Sequence, residues 1–316
     1  MAASPPLPGR IVFMGTPFFA ARSLKGLIDA GAKPVAVFTR QDAAAGRGHR
    51  ISEPPVKVMA REAGIELIQP KSLKAPEIQA RLRALAPDVI VVVAYGQILP
   101  QAVLDIPRLG CLNVHASLLP RHRGASPIAH SIWAGDAETG VTTMRMEAGL
   151  DTGPIYLQRK TAIPHGATAG SLTGLLAEMG AELLIETLRG LQAGELQPVK
   201  QNDALATQAP RLAKAQGALD FTKTAAEIER QVRAFDPWPG TFFTFKGQML
   251  KTHGAAVGPP AREGTAPGEV LSSEPFAVAC GGATTILFSF LQREGKRLMP
   301  ASEVLRGFYI PPGSRL

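Results

Sequence analysis

The run Val89-Ile-Val-Val-Val-Ala94 constrains the fold of this chain more than any other segment. It offers no polar face to water, and most of its residues are β-branched, so it reads as a strand buried on both sides. Strands of that kind belong to mainly parallel sheets covered by helices on both faces. The neighbouring pattern supplies such helices. Further apolar runs at 11–15, 34–39, 65–69, 111–117 and 141–147 alternate with helical patterns over 17–30, 54–63, 76–85 and 127–134. This order predicts a doubly wound, mainly parallel α/β domain of Rossmann-like type over 10–191, closed by a long amphipathic helix over 168–191.

The Pro/Ala-rich residues 1–9 are expected to be disordered, and MAASPPLPGR lacks the basic and apolar regions of a signal or transit peptide. Residues 192–209 are polar and read as a linker. From 210 to 316 the pattern changes to one helix, about 224–235, followed by short β-rich runs separated by Gly and Pro, which predicts a small β-barrel.

Composition narrows the class. With 45% apolar and 19% charged residues the chain is a folded protein, and no apolar run approaches a membrane span. Two cysteines, Cys111 and Cys280, allow neither a disulfide framework nor a CxxC metal site, so a reducing, cytoplasmic compartment is expected. Lys and Arg exceed Asp and Glu by 34 to 26. That surplus suits a polyanionic partner such as nucleic acid or an acidic cofactor, or simply liberal use of Arg.

The first strand-to-helix turn excludes the usual occupant of such a sheet. Gly15-Thr16-Pro17-Phe18-Phe19-Ala20 keeps one glycine of a dinucleotide fingerprint and puts bulky residues where a pyrophosphate would meet the backbone. There is no HExxH and no cysteine cluster, so no catalytic metal is expected.

Chemistry concentrates in CLNVHASLLPRHRG and the later GLDTG. Asn113 and His115, two apart on a strand, leave the same face near the carboxyl edge where open α/β sheets hold ligands. Asp151 lies between Gly149 and Gly153 in a loop after the next strand. Singly, such an Asp is often a turn former and a strand His a satisfied core residue. Together they make an amide–imidazole–carboxylate site.

Through N-V-H-A-S-L-L-P-R-H-R-G-A-S-P-I at 113–128 and G-L-D-T-G at 149–153 the chain resembles the 10-formyltetrahydrofolate-dependent formyltransferases, and within them the branch acting on methionyl-tRNA. The likeness runs from VFMGTPFFA at 12–20 to RAFDPWPG at 233–240 and weakens in the last ~70 residues. It implies catalytic roles for Asn113, His115 and Asp151, and folate contacts from Ser117, Leu118, Leu119 and Pro120. It also implies a pterin wall at VVVAYGQILP, where Tyr95, Gly96 and Ile98 are the pocket candidates. In this chemistry the amine of methionyl-tRNA attacks the formyl carbon on N10 of the folate. Asn113 and protonated His115 donate to the oxyanion, and Asp151 favours the imidazolium and accepts the amine's proton.

The acceptor needs separate evidence. Arg40, Arg47 and Arg50 stand among small residues after the second strand, where the resemblance implies a loop reaching the tRNA acceptor stem, with Arg47 as its key arginine. At Ala43 and Ala44 the chain departs from the Arg-Pro pair usual there. The C-terminal domain resembles an OB-like tRNA-binding barrel, with Lys214, Lys246 and Lys251 among its basic residues. Initiator methionyl-tRNA is therefore the expected partner and a monomer the expected state. A transferase acting on a nucleotide-linked amino sugar is the alternative; an RNA-binding protein with a dead transferase domain is disfavoured by the complete triad.

Overall fold

The computed structural model describes residues 5–45 and 50–316, which divide into two compact units. Unit 1 takes residues up to 127, 138–162 and 173–210; unit 2 takes 128–137, 163–172 and 211–316. Of the stretch expected to be disordered, residues 1–4 lie outside the described residues, whereas Pro8 is buried.

The strands of unit 1 are β1 (Ile11–Gly15), β2 (Ala36–Phe38), β3 (Ala43–Ala45), β4 (Arg50–Ser52), β5 (Leu67–Ile68), β6 (Val89–Val93), β7 (Cys111–His115), β8 (Glu138–Arg145) and β9 (Ile155–Ala162). Seven of them form one sheet in the order β5-β2-β1-β6-β7-β8-β9. Pairing is parallel from β5 to β7 and antiparallel from β7 to β9, which gives the expected doubly wound, mainly parallel architecture.

Every residue of β1, β2 and β6 is buried, so each strand has a core on both sides. On one face Val12, Met14, Ile90 and Val92 pack with Leu82 of α3 (Pro76–Ala84) and with Val103 and Leu104 of α4 (Gln101–Leu104). On the other lie α1 (Phe18–Asp29) and the unit 1 part of α6 (Ala169–Ala193). Gly26 lets α1 approach α6 so closely that a Cβ there would sit 3.1 Å from the Ala181 Cβ. Gly180 brings α6 equally close to Val114 of β7. Burying each Val or Ile on such a strand contributes roughly 1.5–3 kcal/mol, which makes the sheet a stiff platform.

Three features differ from the sequence expectation. β9 was not legible, because its burial alternates between half-buried and exposed positions. The Arg40–Arg50 loop is flanked by an antiparallel pair rather than being all loop: β3 lies within it and pairs with β4, which begins at Arg50, with Ala43 opposite Ser52. The polar stretch 192–209 does not behave as a free tether: Val199 pairs with Ile155, Arg123 pairs with Gln208, and Gln201 and Ala209 are buried.

Unit 2 contains α5 (Pro127–Ala134) apart from its first residue, α7 (Ala225–Ala234), α8 (Ala301–Gly307) and strands β10 (Thr241–Phe245), β11 (Gln248–Val257), β12 (Val270–Ser273), β13 (Phe276–Cys280), β14 (Thr284–Arg293) and β15 (Met299–Pro300). The strands form one antiparallel sheet, β10-β11-β14-β13-β12, with β15 added to β14. It curls as a half-barrel, consistent with the expected OB-like domain, around Phe243, Phe276 and Phe288, whose rings lie 5.8–6.4 Å apart. Ala218 bridges Phe242 of the outer strand β10, and Arg315 bridges Glu269 just ahead of β12.

Both cysteines are buried, and burial pushes the Cys111 thiol up to about 12 and the Cys280 thiol up to about 11. The native protein at pH 8 is therefore expected to resist a thiolate-selective disulfide reagent, with both thiols titrating once denaturant is added. Rapid native labelling would contradict this packing.

Candidate active site

β7 delivers two polar side chains to the carboxyl edge of the sheet, while Leu112 and Val114 anchor the strand in the core. Asn113 Nδ2 donates to the carbonyl of Val92 on β6 (3.3 Å), which orients the amide. Its Oδ1 is buried without a partner among the described residues. One amide N–H and one acceptor oxygen thus remain available to a ligand.

His115 is only 6% exposed. Its Nε2 lies 2.9 Å from the carbonyl of His122, and because a carbonyl can only accept, Nε2 carries a proton. Nδ1 faces Asp151 Oδ2 at 3.6 Å. Asp151 Oδ2 in turn accepts from the backbone N–H of Gly124 at 2.8 Å. The segment presenting both partners is tightly specified. Gly124 has φ +127, and a Cβ there would strike the Ala209 carbonyl at 2.5 Å. Asp151 itself has φ +52, an uncommon conformation for a residue with a side chain. Asn113, His115 and Asp151 are thus brought together, within unit 1.

The Ser117–Pro120 turn is held from below. Thr142 Oγ1 on β8 donates to Ser117 O (2.6 Å) and accepts from Leu119 N–H (3.2 Å) and Gln158 Nε2 (2.9 Å). Gln158 also donates to Leu119 O at 2.8 Å. Ser117 and Leu119 are buried, and Ser117 Oγ is spent on the Arg121 carbonyl, so the turn presents Leu118, Pro120 and backbone groups. Thr142 and Gln158 were missed in sequence: β8 reads ETGVTTMR, where Thr142 is one of three threonines and nothing local marks it.

The Tyr95–Ile98 loop leaves β6, the parallel neighbour of β7, at the same sheet edge. Tyr95 is 2% exposed and its side chain points into the core, where burial pushes its hydroxyl up to about 12, so this residue offers the loop only its backbone. Its carbonyl is occupied by Thr16 Oγ1 at 3.0 Å. Gly96 has φ +81 and accepts from Arg40 Nη1 at 3.2 Å, so Arg40 stands against this loop. Ile98 is 86% exposed, an apolar side chain free to meet a ligand.

Arg47 lies outside the described residues, and Arg50 is described only as backbone of β4. In unit 2, Lys214 and Lys246 are exposed and Lys251 is half-buried on β11. Among the described residues no group of three or more His, Cys, Asp or Glu is placed to hold a metal ion.

Residues 9–188 match the formyl transferase family and residues 211–309 its C-terminal domain. The methionyl-tRNA formyltransferase of Geobacter sulfurreducens is 47% identical over 97% of this chain and 96% of its own. That of Pseudomonas fluorescens is 51% identical over 92% and 91%. The chain belongs to the formyl transferase family. Its fold also superimposes on WlaRD, a sugar 3N-formyl transferase (TM-score 0.67, 18% identity, 91% of this chain and 98% of that one). HypX from Aquifex aeolicus in complex with tetrahydrofolic acid shares the fold at TM-score 0.60 and 19% identity, over 95% of this chain and 47% of its own. Asn113, His115, Asp151 and the Ser117–Pro120 turn all fall inside the matched residues 9–188 of this formyl transferase.

Thr142→Val keeps the shape of the strand but leaves the Leu119 N–H without its buried acceptor. A loss of about 1–3 kcal/mol in chemical denaturation is expected. An unchanged midpoint would mean that the turn does not depend on this hydroxyl.

Proposed function

We infer that the chain transfers the formyl group of 10-formyltetrahydrofolate to the α-amine of methionine on initiator methionyl-tRNA, the reaction that prepares this tRNA for translation initiation. The observation that carries the reading is sequence identity of about one half, over nearly the whole length, to methionyl-tRNA formyltransferases. The geometry supports the chemistry. The amine's lone pair attacks the formyl carbon, forming a C–N bond and an oxyanion. The free N–H of Asn113 donates to that oxygen. The Nε2 proton of His115 is committed to His122, so the proton it can give the substrate is the one on Nδ1, from the gap it shares with Asp151. Asp151 accepts the proton of the attacking amine, directly or through water. The C–N10 bond then breaks as the folate nitrogen is protonated. No bond to the enzyme forms.

The folate is held between the Ser117–Pro120 turn and the Tyr95–Ile98 loop, with Gly96 and Ile98 facing it and Tyr95 supporting from the core. Arg47 reaches the acceptor stem with Arg40 and Arg50, and Lys214, Lys246 and Lys251 contribute to tRNA binding from the C-terminal domain. All three catalytic groups come from one chain, which suits a monomer; on the same reading the enzyme is cytoplasmic and uses no metal. No described helix is long and apolar enough to cross a membrane. The sugar transferases share the fold at 17–21% identity, which says nothing of the acceptor here.

The test is transfer of labelled formyl from 10-formyltetrahydrofolate to charged initiator methionyl-tRNA and, separately, to a nucleotide-linked amino sugar. Wild type is expected to formylate the tRNA alone. Asp151→Ala should lower kcat by about 10²–10⁴-fold, and Arg47→Ala should act mainly on tRNA affinity. That affinity should fall steeply with added salt as phosphate contacts release counterions. Formylation of the sugar with the tRNA untouched would overturn the acceptor.

A further inference from the structure

The stretch 192–209 has the composition of a tether, yet Gln201 within it is only 5% exposed and, besides a long contact from its Nε2 to Met144 Sδ (4.0 Å), makes four hydrogen bonds to nitrogen and oxygen partners that meet beside the catalytic groups. Its Nε2 donates to the carbonyls of Asp151 (2.8 Å) and Gly153 (2.7 Å). Its Oε1 accepts from Arg123 Nε (3.1 Å) and Nη2 (2.8 Å). Arg123 is itself 6% exposed, and its backbone is tied to the same stretch through Thr207 O (2.9 Å) and Ala209 N–H (2.7 Å).

The residues on either side of Arg123 touch the catalytic pair. His122 supplies the carbonyl that fixes the His115 ring, and Gly124 the N–H that holds Asp151 Oδ2. A closed circuit therefore runs from His115 through His122, Arg123 and Gln201 to Asp151 and back across the 3.6 Å gap. Only an amide fits the Gln201 position. A carboxylate would satisfy Arg123 but set oxygen against two carbonyls, and an ammonium would satisfy the carbonyls but repel Arg123. The circuit also explains how Asp151 keeps a backbone conformation that costs energy for a residue with a side chain: the surrounding bonds leave it no alternative.

We propose that Gln201 is a positioning residue for the formyl transfer: bridging Arg123 to the Asp151 loop, it sets the separation and orientation of the Asp151 carboxylate and the His115 imidazole. This rests on the reading of Asp151 as a catalytic group. The segment joining the two matched family regions is on this account part of the active-site scaffold.

The test compares wild type with Q201A, Q201E and D151A in steady-state formyl transfer to methionyl-tRNA, recording kcat, both KM values, the pH profile of kcat and the urea midpoint. Q201E keeps an acceptor for Arg123 but loses both donations, so it separates the positioning role from simple support of the arginine. Both Gln201 variants are expected to lose about 100-fold in kcat, as a misplaced catalytic group does, with KM values near wild type and a displaced pH profile. Wild-type kcat and pH profile in Q201E, or a loss matching only the unfolded fraction, would overturn the proposal. If D151A is inactive while the Gln201 variants stay active, the role of Gln201 alone falls. If D151A keeps wild-type kcat, the reading of Asp151 falls and this proposal with it.

Discussion

An imidazole and a carboxylate held 3.6 Å apart, nearly out of water, are the feature on which the rest of unit 1 depends. Groups of that polarity are tolerated at a sheet edge only if each remaining donor and acceptor is met. The structure meets them with backbone: the His122 carbonyl for Nε2 and the Gly124 N–H for Oδ2. Supplying both from residues two apart requires a sharp chain path, which explains the positive φ at His122 and Gly124. That path is itself pinned by Thr207 Oγ1 on the His122 N–H and by the Arg123 pairing with residues 207–209.

The sheet makes this precision possible. β7 carries its polar residues on a strand whose other positions are locked into the core, and β6 beside it is buried throughout. The Asn113 amide is oriented by the Val92 carbonyl of that neighbouring strand, so the groups proposed to handle the oxyanion sit on strands packed into the core. The loop that follows β6 is more open, as the exposure of Ile98 illustrates.

Much of this was legible in the sequence because burial on both faces writes an unmistakable apolar run. β1 and α5 fall at their expected limits, and the Asn113–His115 spacing placed both side chains on one face before any coordinates. The losses have a common cause. β9 is half-exposed and carries Gln158, Arg159 and Lys160, so its strand pattern is masked by polarity. The stretch 192–209 is polar for the opposite reason: Gln201 and Thr207 are polar because they serve other buried polar groups, a relation no local pattern expresses. Tyr95 was placed correctly at the end of β6 but its ring turns inward, a choice made by the core it fills.

On the proposed reading, proton movement at His115, beside Asp151, drives formyl transfer. His115→Gln tests it most directly, because an amide of similar reach can still bond the His122 carbonyl but cannot take up and return a proton. Single-turnover formyl transfer to methionyl-tRNA should slow by about 10²–10⁴-fold while folate affinity, measured by fluorescence titration, stays at the wild-type value. Transfer at the wild-type rate would contradict the account.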